Sequence, residues 1–208
     1  MGKTPGKSAR SPVQERAKET VSAILTAATH LFDRDGIDEA STNKIAERAG
    51  VGIGSLYQYF RNKDQIVNAL AQKIIDHKKD VLLRVLENSK STTLEERVGA
   101  LVGALVQAKA ENSRMERLLE MQVPKIGIAM KLMEKADRAT IDLCLQYLEP
   151  HKDELKLKDP EFTLFVIIQS IKGIMIMTNQ TRPEYLKSKK LEPMLTRMVL
   201  AGLRETQV

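Results

Sequence analysis

The sequence predicts an all-α fold, and three observations carry that prediction. Apolar residues recur at helical spacing through most of the 208 residues. No stretch shows the strict alternation of a half-buried strand, a βαβ pattern or an internal repeat. Helix-start and helix-stop residues separate the periodic segments. Hydrophobic residues make up 42% of the chain, enough for a core, and four Phe, four Tyr and no Trp leave that core to Leu, Ile, Val, Ala and Met. A formal net charge of +6 favours a polyanionic partner, or serves solubility. The single cysteine, Cys144, excludes an internal disulfide framework and fits a reducing cytoplasm. Between Leu143 and Leu145 it reads as a small buried apolar residue. The first residues lack the apolar core of a signal peptide.

Residues 1–15 form a basic tail rich in Pro, Gly and Ser, with Lys3, Lys7 and Arg10. It reads either as a solvated terminus or as an arm that adds phosphate or minor-groove contacts. A first helix is predicted from about Thr20 to Arg34. Val21, Ile24, Leu25, Ala28, Leu31 and Phe32 form its apolar face, and Gly36 ends it. Ser41 is an N-cap for the next helix, on which Ile45, Ala46 and Ala49 share one face. Gly50 ends that helix by taking a left-handed conformation. Val51 and Leu56 are the buried residues of the turn and of a second short helix. Asn62 caps the helix after it. A short helix, a Gly turn and a second short helix make a helix-turn-helix, whose second helix fits the DNA major groove. Its other face offers Ser55, Tyr57, Gln58 and Tyr59, hydrogen-bonding groups suited to base edges and phosphates. Ile53 can meet a thymine methyl, Gly54 lets the backbone approach closely, and Lys63 is placed to meet a phosphate.

These residues resemble a known family. IleLeuThrAlaAlaThrHisLeuPhe (24–32), Gly36, IleAlaGluArgAlaGlyVal (45–51) and LeuTyrGlnTyrPhe-x-Asn-Lys (56–63) look like the DNA-binding domain of TetR-family bacterial transcriptional regulators, over about residues 16–70. The resemblance implies DNA contacts from Thr42, Asn43, Ile53, Gly54, Ser55, Tyr57, Gln58 and Tyr59, and a phosphate contact from Lys63. Gly52 and Ile53 depart from the family's usual Ser cap and polar residue, which bears on base preference. The resemblance also implies a small-molecule pocket among the helices of residues 63–175, for which Met115, Leu119, Met121, Met133 and Phe165 are candidate wall residues.

The remaining elements follow in order. Ile66, Leu70, Ile74, Val81 and Val85 mark a long helix to about Glu87. Thr93 and Glu96 stand at capping-box spacing before a helix striped with Val98, Leu101, Val102, Leu105 and Val106. Asn112-Ser113 breaks it, and a short helix with Met115, Leu118, Leu119 and Met121 stops at Pro124. A further helix spans about Ile126 to Leu148, and residues 151–158 read as a connecting loop. Asp159-Pro160-Glu161 is a helix start. The helix it opens, 162–177, is apolar almost all round, so burial on more than one side is expected. Gln169, Ser170 and Lys172 and its short length argue against a membrane span. A last amphipathic helix runs from about Leu191 to Leu203. The helices near 160–178 and 191–204 are the candidate homodimer interface, with Gly173 permitting close approach.

The sequence shows no catalytic constellation, phosphate loop or paired cysteines, and His30, His77 and His151 are scattered, so neither an enzyme, a cofactor nor a metal site is expected. Eight of the nine methionines lie beyond residue 110, suiting either an adaptable pocket or an irregular core. The expectation is therefore an all-α protein of three parts: a tail (1–15), a three-helix helix-turn-helix domain (16–62), and a helical ligand-binding and dimerisation domain (63–208). It would act in the cytoplasm as a dimeric repressor on a palindromic double-stranded DNA operator, released by a small apolar or amphipathic effector. A DNA-binding regulator without such an effector, architectural or controlled by a protein partner, and an activator are the alternatives.

Overall fold

The computed structural model describes residues 12–205 except 89, 91, 123–126 and 156. Most of the basic tail, Pro124 and the predicted helix start at Ile126 lie outside the described residues. Helices account for nearly all of the rest, and no strand occurs among the described residues, so the predicted fold class holds. The chain divides into two compact units, residues 1–70 and 71–208.

The first unit is a small helical core. Helix α1 (Pro12–Asp35) begins earlier than its apolar period indicates, because Pro at the first helical position is already a start signal. Ile24, Ala28, Leu31 and Phe32 are buried along it. Gly36, at φ 86°, ends it with its N–H on Phe32 O. Helix α2 (Thr42–Ala49) is capped by Ser41, whose Oγ accepts from Lys44 N. Gly50 takes φ 68° and donates to Glu47 O, the reversal the turn needs. Helix α3 (Ile53–Tyr59) follows with Gly52 at its N-cap and no side-chain cap bond. Asn62 Oδ1 accepts from Gln65 N at the head of helix α4 (Lys63–Asn88). Ile66, Val67 and Leu70 of its first turns are buried.

The second unit is built from the remainder of α4 and six further helices, among the described residues: α5 (Leu94–Glu111), α6 (Ser113–Gln122), α7 (Gly127–Leu148), α8 (Lys152–Leu155), α9 (Pro160–Thr181) and α10 (Leu191–Glu205). Short 3₁₀ turns at Glu149–His151 and Pro183–Lys187 join them. With α8, the first of these turns gives structure to the stretch expected as loop. Thr93 and Glu96 form the capping box at α5, and the backbone N–H groups of Thr92 and Thr93 hold the Glu96 carboxyl below its ordinary range. Asp159 caps α9 by accepting from Phe162 N. Leu94, Val98 and Val106 of α5, Leu164 and Ile171 of α9, and Leu195 and Leu203 of α10 form one core with Ile141 and Leu148 of α7.

Helix α9 has two different faces. Leu164, Ile171 and Met175 are buried, while Phe162, Phe165, Val166 and Met177 form an exposed apolar stripe. The expected burial on a second side is therefore not made within the chain. On α10 the exposed apolar residues are Met194 and Met198. Gly173 meets nothing within 4 Å, whereas a Cβ at Gly202 would lie 3.2 Å from Ile167, so the close α9–α10 approach is at Gly202. At 22 residues α9 is long and apolar enough by length and composition to cross a membrane, longer than its sequence suggested. Its Lys172 and Gln169 nevertheless bind Asp137 of α7, and its inner face is core.

Candidate nucleic-acid interface and internal cavity

Helix α3 is nearly all surface. Of its seven residues only Leu56 is buried, and the rest are exposed, with Ile53 at 39%, Tyr57 at 48% and Tyr59 at 38%. An isolated seven-residue helix is too short to hold itself together in water, so Leu56 is what anchors it. Gly54, Ser55 and Gln58 complete an outward face with no charged side chain. Thr42 Oγ1 and the Tyr57 hydroxyl lie 3.1 Å apart, tying the start of α2 to α3. Asn43 is exposed beside Thr42. The structure thus brings Thr42, Asn43 and the α3 residues together. Lys63 is half-buried at the head of α4. Its ammonium donates to Ile37 O at 2.6 Å and Asp38 O at 2.9 Å, locking the loop between α1 and α2. Arg61 and Lys44 remain exposed near this face.

The second unit holds a cavity of about 240 Å³. Its wall is mostly aliphatic: Val98, Leu101 and Leu105 of α5, Leu143 of α7, Ile167 and Ile168 of α9, with Leu82 of α4 and Leu203 of α10. Met115, Leu119 and Phe165, the three predicted wall residues with described side chains, are not placed there. Leu119 is buried elsewhere in α6, Met115 is half-buried, and Phe165 is on the exposed stripe of α9. The side chains of Met121 and Met133 are outside the described ones. The wall comes instead from the apolar stripes of the long helices, which sequence periodicity does mark.

The cavity wall also carries charged side chains. Arg97 donates to Tyr147 O at 2.9 Å and stacks on the Tyr147 ring, fixing α5 against the end of α7. Leu105 and Cys144 both pack against the buried cluster of Leu82, Leu101 and Tyr147. Lys78 and Lys79 of α4, Lys109 of α5, Glu120 of α6, and the Lys172–Asp137 pair all line the cavity. Lys109 is almost completely buried and bridges Glu116, at 2.6 Å, and Glu120. Glu116 also pairs with Lys78 at 2.8 Å. Burial pushes the Glu120 carboxyl above its ordinary range in spite of Lys109. This cluster was not read from the sequence; the i, i+4 spacing of Glu116 and Glu120 was its one visible sign.

Cys144 also lines the cavity, and burial pushes its thiol up to about 11. The thiolate is the nucleophile. Iodoacetamide at neutral pH is therefore expected to alkylate Cys144 at least about tenfold more slowly in the folded chain than in urea. Equal rates would show that the cavity is not closed to solvent.

Two family models match the chain. One, for bacterial regulatory proteins of the TetR family, covers residues 24–70; the other, a tetracycline repressor-like C-terminal domain, covers residues 93–203, more than half of the chain. The chain belongs to the TetR family. HTH-type transcriptional regulators of Staphylococcus aureus, such as that of strain USA300, are 34% identical to this TetR-family chain over 64 residues, 31% of it and 35% of their own length. The chain thus spans about a third of the length of the curated relatives it matches. Among solved structures, the fatty acid degradation regulator FadR from Bacillus halodurans superposes with a TM-score of 0.69 at 18% identity, covering 96% of this chain and 98% of that one. SmeT, solved in complex with triclosan, gives 0.66 at 20% identity over 88% and 90%. These likenesses show that the TetR fold extends over both units. Among the described residues no three His, Cys, Asp or Glu side chains are grouped to hold a metal ion.

Proposed function

We propose that the protein is a cytoplasmic, dimeric transcriptional repressor that reads a palindromic DNA operator through α3 and is released by a small apolar or amphipathic effector. The observation that carries the DNA-reading part is the exposure of α3, whose outward side chains are hydrogen-bonding or apolar, with Tyr57 the one that also bonds to α2. Thr42, Asn43, Ile53, Gly54, Ser55, Tyr57, Gln58 and Tyr59 form the reading surface. Lys63 supports it through the loop it holds, and Arg61 and Lys44 supply phosphate contacts. The exposed stripes of α9 and α10 form the protomer interface, since an apolar face of this kind marks a partner. The cavity takes the effector, a reading supported by its aliphatic wall and by neighbours in fold that include a fatty acid degradation regulator and a triclosan complex. Effector binding favours a protomer arrangement in which the two α3 helices no longer match successive major grooves, and α4 is the lever. The ligand achieves this only through its difference in affinity for the two arrangements.

The test is fluorescence anisotropy with the DNA upstream of the protein's own gene. Wild type is expected to bind tightly and to weaken steeply with salt, while Tyr57→Ala/Gln58→Ala loses at least about a hundredfold in affinity, taking about 1–3 kcal/mol per lost base contact. A double mutant that binds as well as wild type would place the reading face elsewhere.

A further inference from the structure

Among the charged groups around the cavity, Lys78, Lys109 and Lys172 are paired, and two carboxylate oxygens are not. Lys109 donates to Glu116 Oε2 and Glu120 Oε1, Lys78 donates to Glu116 Oε2, and Lys172 donates to both oxygens of Asp137. Glu116 Oε1 and Glu120 Oε2 are buried and have no hydrogen-bond partner among the described residues. Glu120 belongs to the cavity wall, and Glu116 does not. A buried acceptor without a donor is costly, and a native one calls for an explanation.

The charges here narrow what can answer that acceptor. Lys78 and Lys109 balance Glu116 and Glu120, and Lys172 balances Asp137, while Lys79, also on the wall, is exposed. A cationic head would approach Glu120 beside the Lys109 and Lys78 ammoniums. An anionic head would face the open carboxylate oxygen. An uncharged O–H satisfies the oxygen and adds no net charge to a poorly solvated cluster.

We infer that the cavity takes an amphipathic molecule with an uncharged hydroxyl head, alcohol or phenol, which donates to Glu120 Oε2, while its apolar tail lies toward Val98, Leu164 and Leu203. This inference rests on the reading of the cavity as the effector site, and it specifies the head group.

Four probes with one chain length test it: 1-decanol, decyl methyl ether, decylamine and decanoate. Each is titrated against the full-length protein, with slowing of Cys144 alkylation as the readout. Decanol is expected to bind at least about tenfold more tightly than the ether, which keeps the oxygen and lacks the donor, and more tightly than either charged probe. In Glu120→Leu the decanol-to-ether ratio is expected to fall to about one. The wild-type ratio needs no variant, so the test survives if Glu120→Leu fails to fold. Equal binding of decanol and ether overturns the inference, as does tightest binding by decylamine or decanoate, or an unchanged ratio in Glu120→Leu. If none of the four protects Cys144, the effector-cavity reading itself fails, and the head-group assignment with it.

Discussion

Lys109→Ala is expected to lower the unfolding free energy by about 3–5 kcal/mol, read from the urea midpoint at constant slope. Few side chains in the second unit carry so much. Lys109 is 2% exposed and Glu116 3% exposed, so neither carboxylate can recover its lost partner from water. Removing the ammonium leaves Glu116 with Lys78 alone and Glu120 with no described cation, in surroundings that already push the Glu120 carboxyl up. The loss comes from stranded charge rather than from lost volume. The triple change Lys109→Met/Glu116→Leu/Glu120→Met is therefore expected to recover most of the stability, because apolar residues of similar size replace a buried ionic group at little cost. A Lys109→Ala protein within about 1 kcal/mol of wild type would mean that water reaches this cluster, well short of the stranded-charge penalty.

The second large effect is expected at Leu56. Leu56→Ala should cost about 2–5 kcal/mol, the range for a fully buried leucine, and operator affinity should fall with it. Leu56 is 0% exposed and is the one buried residue of α3. Its neighbours on that helix cannot compensate, because they face outward. Leu56→Met, which keeps most of the volume, is expected to cost less than about 1.5 kcal/mol. The comparison separates anchoring from reading: both Leu56 variants keep every outward side chain of α3. If Leu56→Ala melted like wild type and bound DNA normally, the anchoring role would have to lie in the Thr42–Tyr57 contact instead.

The sequence disclosed the elements more fully than the cavity. Ser41, Gly50 and Asn62 mark three helix ends by local chemistry, and each does in the structure what its type suggests. Thr93 with Glu96, and Asp159 with Pro160, do the same further along. The start of α1 was misplaced because residues 14–19 are polar except for Ala17, too thin an apolar stripe to mark the first turns. The cavity wall was hidden for a different reason. Periodicity tells which side of a helix is apolar, but not whether two apolar sides touch or stand apart. Besides Met175, the wall is made by Val98, Leu101, Leu105 and Ile168, which look like ordinary core. The Lys109–Glu116–Glu120 cluster joins two helices across a turn, and such pairings between helices leave no mark in the spacing along either one.

The exposure of α3 has a bearing on how such a protein diversifies. With Leu56 committed to the interior and Tyr57 bonded to Thr42, the other five positions can be rewritten at a folding cost of about 0.5 kcal/mol or less each. The helix is then a replaceable cassette, and a new target sequence can be acquired by point changes that leave the scaffold untouched. If α3 reads bases as proposed, altering these uncharged positions would change which DNA is preferred while leaving the nonspecific pull toward DNA to Arg61, Lys44 and the other basic residues around it. Target choice and general grip would then be separable properties, open to independent selection or redesign.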